Sequence, residues 1–222
     1  MHYSYLLGLI KAPNDQLYRI ERKDVIERQW KIQLLLVIMT VLIYVLMSVL
    51  GMGSHFHSHH ITDLSMSQYT IEQLWFINGR MVYALIIALG ILFIITYYFH
   101  LLTEIPYRKL MVMQQVVLVA MLCERLLWIP AFVFLGLDWN VSPLSFGIIA
   151  SYFTDRPWII NFFGSITIFQ LWIIFFQVKY MKKLSILKTY KIWLIVLNLY
   201  IFLDVMAAFI TYLGSILQQG WM

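Results

Sequence analysis

Five long apolar stretches, separated by short polar connections, set the pattern of this chain. Ile32–Leu50 runs for 19 residues without a charge, and Met81–Leu102 for 22 with only His100 near one end. Leu110–Leu137 has 28 residues, Ile159–Met181 has 23 with Lys179 at its end, and Ile192–Leu217 has 26 with Asp204 as its only charge. A helix needs about 20 apolar residues to cross a hydrocarbon core of about 30 Å, so each stretch predicts one crossing. The fold class expected is all-α, a polytopic membrane helix bundle with five transmembrane helices. Leu110–Leu137 is longer than one crossing requires, so it must tilt or bend at Pro130. It also carries Glu124 and Arg125 side by side. Charge deep in a bilayer costs about 2.5 kcal/mol or more per residue, so the other spans are expected to surround this one.

The polar segments are short. Residues 1–31 form an arm in which Pro13 and Asn14 mark a helix start. Asp15–Arg19, Lys23–Glu27 and Asp24–Arg28 are opposite charges four residues apart, and the apolar side is imperfect. This reads as an N-terminal interfacial helix on the inner membrane face, with a solvated linker as the alternative. The apolar run Leu6–Ile10 is too brief for a signal-peptide core. The domain plan is thus a cytoplasmic arm, 1–31, and a five-span membrane domain, 32–222. Of the two outer loops, Gly51–Arg80 contains four histidines, then a short piece, Ile71–Asn78, expected to rest on the interface. The other, Asp138–Trp158, contains Asn140-Val141-Ser142, a glycosylation pattern short enough to arise by chance.

Composition agrees: 62% of the 222 residues are hydrophobic and 12% charged, against about 25% charged in an average soluble domain. Mean hydropathy is +0.79. The net charge of +5 does not call for a nucleic-acid partner, because its location explains it. Thirteen Lys and Arg fall in the arm and in the connections after spans two and four, whereas the outer loops hold only Arg80 and Arg156. The positive-inside bias therefore predicts N-in, C-out. The single Cys123 allows no internal disulfide.

Two constellations could carry chemistry. Glu124 and Arg125 lie about 21–23 Å up the third span and Asp204 about 18 Å up the fifth, so Arg125 can pair with either acid. A proton or ion relay is one reading, and a polar clasp that specifies which helices meet is the other. A proton-coupled carrier would show repeated halves, broken helices or several intramembrane acids, and the sequence displays none. The second constellation is His55, His57, His59 and His60, whose alternation could hold Zn²⁺ or Cu²⁺ through imidazole nitrogen. The plainer reading is a solvated or pH-sensitive loop. Hydrolase, P-loop and dinucleotide motifs are absent, so an enzyme is not expected.

Ser142-Pro143-Leu144-Ser145-Phe146-Gly147, then Ile166-Thr167-Ile168-Phe169-Gln170-Leu171-Trp172, a basic turn and a last apolar span resemble the bacterial form of the Yip (Ypt-interacting protein) family. Leu9-Ile10-Lys11-Ala12-Pro13 and Leu17-Tyr18-Arg19-Ile20 are similar to that family's opening. The chain has Gln177 and Val178 where the family often carries glycine. The resemblance implies a non-enzymatic protein of a bacterial cell membrane, in contact with lipid and with another membrane complex, either an ABC-type exporter or trafficking machinery. It supplies no catalytic residue; Phe169 and Trp172 are the matching positions, expected to serve packing. The leading expectation is a scaffold or accessory subunit, with a metal-handling protein and a proton-coupled carrier as alternatives.

Overall fold

The computed structural model describes residues 29–53, 65–136, 142 and 144–219. The helix expected before residue 29, the histidines His55, His57, His59 and His60, and Asn140 of the sequon lie outside the described residues. Within them the chain is helical almost throughout and has no β-strand. Four helical stretches are long and apolar enough to cross a bilayer: Gln29–Val49, Ser67–Thr103, Tyr107–Leu135 and Thr189–Ile210. This is a multi-pass integral membrane protein. It divides into two compact units, Met1–Trp139 and Asn140–Met222.

In the first unit, α1 (Gln29–Val49) buries Leu36, Thr40, Ile43, Tyr44, Met47 and Ser48. These recur at helical spacing and form one stripe. The two hydroxyls on that stripe cost little, because Thr40 donates to the Leu36 carbonyl at 2.7 Å and Ser48 to that of Tyr44 at 2.9 Å. The helix ends on Gly51, whose φ of 78° is open to glycine without strain. Gly51 N–H donates to Ser48 O and Met52 N–H to Met47 O, which together satisfy the last carbonyls.

The second crossing differs from its expected bounds. Helix α2 (Met66–Leu89) starts at Met66 rather than Met81, and Ile71–Asn78 forms its opening turns instead of a separate interfacial piece. The Ser65 N–H donates to Gln68 Oε1 at 3.0 Å, which opens the helix upstream of the apolar run. A π-helical segment, Gly90–Ile95, leads without a break into α3 (Thr96–Thr103). The stretch of 37 residues is about 55 Å long, so it outruns the hydrocarbon core. His100 closes the following turn, with Nδ1 2.7 Å from the Ile105 carbonyl.

Helix α4 (Tyr107–Leu135) continues through Pro130 and packs on α1, α3 and the π segment. Every residue from Leu110 to Leu118 is buried, so its N-terminal third is enclosed, whereas Glu124 and Arg125 lie further on, where Cys123, Leu126 and Leu127 are exposed. At one end of this unit Gln29 Nε2 donates to the Arg108 carbonyl at 3.1 Å. At the other, Arg80 Nη2 donates to the Met52 carbonyl at 2.8 Å.

The second unit contains α5 (Gly147–Ser151), α6 (Pro157–Ser165), α7 (Ile168–Leu184) and α8 (Thr189–Gln219). The stretch 159–181, expected as one continuous helix, is broken at Ile166 and Thr167. Ile166 (ψ 113°) and Thr167 (ψ 163°) are extended, and Ser145 pairs with Thr167 as an antiparallel bridge. Gly147 makes this fold possible. A Cβ there would sit 2.7 Å from Gly164 Cα and 3.2 Å from the Ile160 carbonyl, so α5 and α6 touch backbone to backbone.

Candidate functional site

Backbone that leaves a helix inside a membrane protein must find other partners, and here it does. Phe146 N–H donates to the Ile166 carbonyl at 3.0 Å, and Ile168 N–H to the Leu144 carbonyl at 3.1 Å. The extended piece around Ser145 thus takes up the groups released by the break. Thr167 then restarts the helix as its N-cap, its Oγ1 accepting from Gln170 N–H at 3.1 Å. Replacing Thr167 with Ala is expected to lower the stability of the second unit by about 1 kcal/mol, read as a lower unfolding temperature in mild detergent. Thr167→Ser, which keeps the acceptor, is expected to recover most of it.

The cap places Gln170 on the first turn of α7, facing α8. Its Nε2 donates to Asp204 Oδ2 at 2.8 Å and to Oδ1 at 3.0 Å. Asp204 is 8% exposed and lies in the middle of a long apolar helix. Ser165, the last residue before the break, is its second hydrogen-bonding neighbour. That hydroxyl also reaches the Phe162 carbonyl at 2.7 Å, so it can turn between the two acceptors. Tyr200, one turn earlier on α8, lies within electrostatic reach of Asp204 and beside the buried Gln177. The acid therefore sits at the break, held by neutral donors of its own unit.

The first unit carries the other predicted charges. Arg125 stacks on Trp128, its Cζ 4.3 Å from the ring centroid, and Trp128 is buried. A cation–π pair between a half-buried Arg and a buried Trp contributes about 1 kcal/mol. Arg80 and Tyr83 are within electrostatic reach of each other, and each is within reach of Tyr44 and Arg125. Because Arg80 is hydrogen-bonded at the end of α1, this group marks one edge of the unit. Arg125 is itself half-buried. Glu124 beside it is half-buried. Arg125 and Asp204 thus each meet partners within their own unit.

Two features escaped the sequence reading. The enclosed part of α4 holds Gln114 and Gln115, and the Gln114 amide has no hydrogen-bond partner among the described residues. A buried water is the usual way such a group is satisfied. The helix break was the other miss; its only local signal is Gly164-Ser165 followed by β-branched Ile166 and Thr167. Of the family-like pair, Trp172 lies flat on Phe176, ring centroids 5.4 Å apart and planes 5° from parallel, while Phe169 is half-buried. Among the described residues no three His, Cys, Asp or Glu side chains come together as a metal group. Compared with protein-family models, with curated proteins and with solved structures, the chain matches none.

Proposed function

We propose that this chain is a non-enzymatic accessory subunit of the membrane, of the kind its resemblance to Yip proteins implies. It crosses the bilayer five times, with α6 and α7 in series making the fourth crossing, and it assists another membrane complex such as an ABC-type exporter. The observation that carries this reading is the use made of Asp204. Its carboxylate accepts from Gln170 in a contact that ties α7 to α8, and we read that contact as a structural clasp. The N-in, C-out orientation draws support from charge placement. Lys31, Arg108 and Lys109 share one end of the first unit and Arg80 the other. Lys182, Lys183, Lys188 and Lys191 cluster at the α7–α8 turn, with Arg156 at the start of α6.

Crosslinking in native membranes followed by purification under mild detergent tests the reading. We expect one integral membrane complex in fixed ratio, whose assembled amount falls when this chain is deleted. Recovery of the chain alone, with every candidate complex assembled normally in its absence, would remove it. A reporter fused to the C-terminus is expected to be active only on the outer side.

The broken crossing gives a second reading some footing, because discontinuous helices with an acid at the break are typical of carriers. Asp204→Asn separates the two. Asn keeps an acceptor for Gln170 but loses the charge, so a proton-coupled carrier loses transport whereas an accessory subunit keeps its partner.

A further inference from the structure

Two arginines from different helices meet at one end of the first unit. Arg80 of α2 and Arg125 of α4 are within electrostatic reach of each other. The packing places them at one height. The contact of Gln29 with the Arg108 carbonyl sets the start of α1 beside the start of α4, and both helices run away from it. Tyr44 follows Gln29 by 15 residues and Arg125 follows Arg108 by 17, a difference of less than one turn. The Tyr44 ring meets that of Tyr83 at 5.7 Å, and Arg80 precedes Tyr83 by three residues.

The two guanidinium groups are held differently. Arg80 gives Nη2 to the Met52 carbonyl at 2.8 Å and lies 5.5 Å from the Phe76 ring centroid. Arg125 rests on Trp128, and among the described residues it has no hydrogen-bond or ion-pair acceptor. Glu124, its neighbour in sequence, is displaced about 100° round the helix. A guanidinium presents five N–H donors in a fork that matches a phosphate or carboxylate. Two like charges held together at a partly buried place repel each other. An anion between them removes that repulsion and takes up the unspent donors of Arg125. Both arginines are half-buried, so an anion can reach them from outside.

The surroundings indicate where that anion comes from. Leu126 and Leu127 on α4, and Val82, Tyr83 and Ile86 on α2, are exposed. Apolar side chains exposed on membrane-crossing helices meet acyl chains. Ile86 is six residues beyond Arg80, about 9 Å further along the crossing. A phospholipid already brings its phosphate to the end of a span with its tails against such side chains. We propose that Arg80 and Arg125 bind the phosphate head group of an anionic membrane lipid, whose acyl chains lie along Tyr83 and Ile86. This stands apart from the accessory role and does not require it.

Cys123 supplies a local reporter, because it is exposed, lies two residues from Arg125 and is the single cysteine of the chain. The full chain, labelled there with bimane, is placed in nanodiscs of phosphatidylcholine. Nitroxide-labelled phosphatidylglycerol or phosphatidylcholine is then added as the quencher. Phosphatidylglycerol is expected to quench with at least about fivefold preference, the factor that corresponds to about 1 kcal/mol for one arginine near a membrane surface. Arg125→Gln is expected to bring the two lipids level, with the unfolding temperature held within a few degrees. Inorganic phosphate at millimolar concentration is expected to leave the quenching unchanged. Full reversal by phosphate would assign the site to a soluble anion and overturn the lipid proposal. Equal quenching by the two lipids in the parent chain would overturn it without any variant, so the test holds even where Arg125→Gln does not fold. A preference that Arg125→Gln leaves intact would overturn it too.

Discussion

Gln170→Leu is expected to be the most damaging single substitution in the second unit, lowering its stability by about 3 kcal/mol. The side chain supplies the nitrogen that faces both oxygens of Asp204, at 2.8 and 3.0 Å. Hydrogen bonds to a charged group contribute about 1.5–3 kcal/mol, and a carboxylate stranded in an apolar helix adds its own desolvation cost. Asp204→Leu removes the charge instead of stranding it. The half-buried Gln170 amide can then turn elsewhere, so the loss is expected to be nearer 1 kcal/mol. With both positions changed to Leu, the pair becomes apolar on both sides, and stability is expected to return to within about 1 kcal/mol of the parent. Unfolding of the four proteins in the same detergent measures this cycle. Purely additive losses would mean that the Gln170–Asp204 contact carries no coupling, and the clasp reading would fall with it.

Gly147→Ala is expected to cost about 1–3 kcal/mol, although it adds one methyl group. The added carbon would meet Gly164 Cα at 2.7 Å, Gly164 N at 3.1 Å and Ile160 O at 3.2 Å, all backbone atoms of α6. No rotamer change can relieve that clash, so α5 and α6 must separate. Separation also disturbs the bridge between Ser145 and Thr167, because Phe146 is the residue before α5. Gly164→Ala is the natural control. A Cβ at Gly164 meets nothing within 4 Å, and alanine favours the helix by up to about 1 kcal/mol, so this variant is expected to match the parent or exceed it. Comparable yields and unfolding temperatures for the two variants would show that the close approach of α5 and α6 does not hold the unit together.

Much of the fold was legible in the chain, and the reasons are local. Span one was read to within three residues, Ile32–Leu50 against Gln29–Val49, because a charge-free run that ends at Gly51 leaves little choice. The second crossing was cut short at its start because polar residues between Ser65 and Arg80 mask a helix that caps itself early. Asp204 stood out as a lone acid in a long apolar run, so one member of the site could be named without a structure. Its partner could not. Gln170 is a neutral residue among many, and nothing in its immediate neighbours points to a residue 34 positions away.

Apolar length was enough to establish a multi-pass helical protein, because transfer into a bilayer is nearly a sum over residues in one segment. That sum does not register a backbone turning aside within an apolar run. The break at Ile166 and Thr167 exists because a distant extended piece, Leu144–Phe146, supplies the missing hydrogen bonds, and because Gly147 lets α5 lie against α6. Contacts of that kind join positions far apart in the chain. Only the tertiary structure could decide them, and with them where the buried acid sits and which side chain holds it.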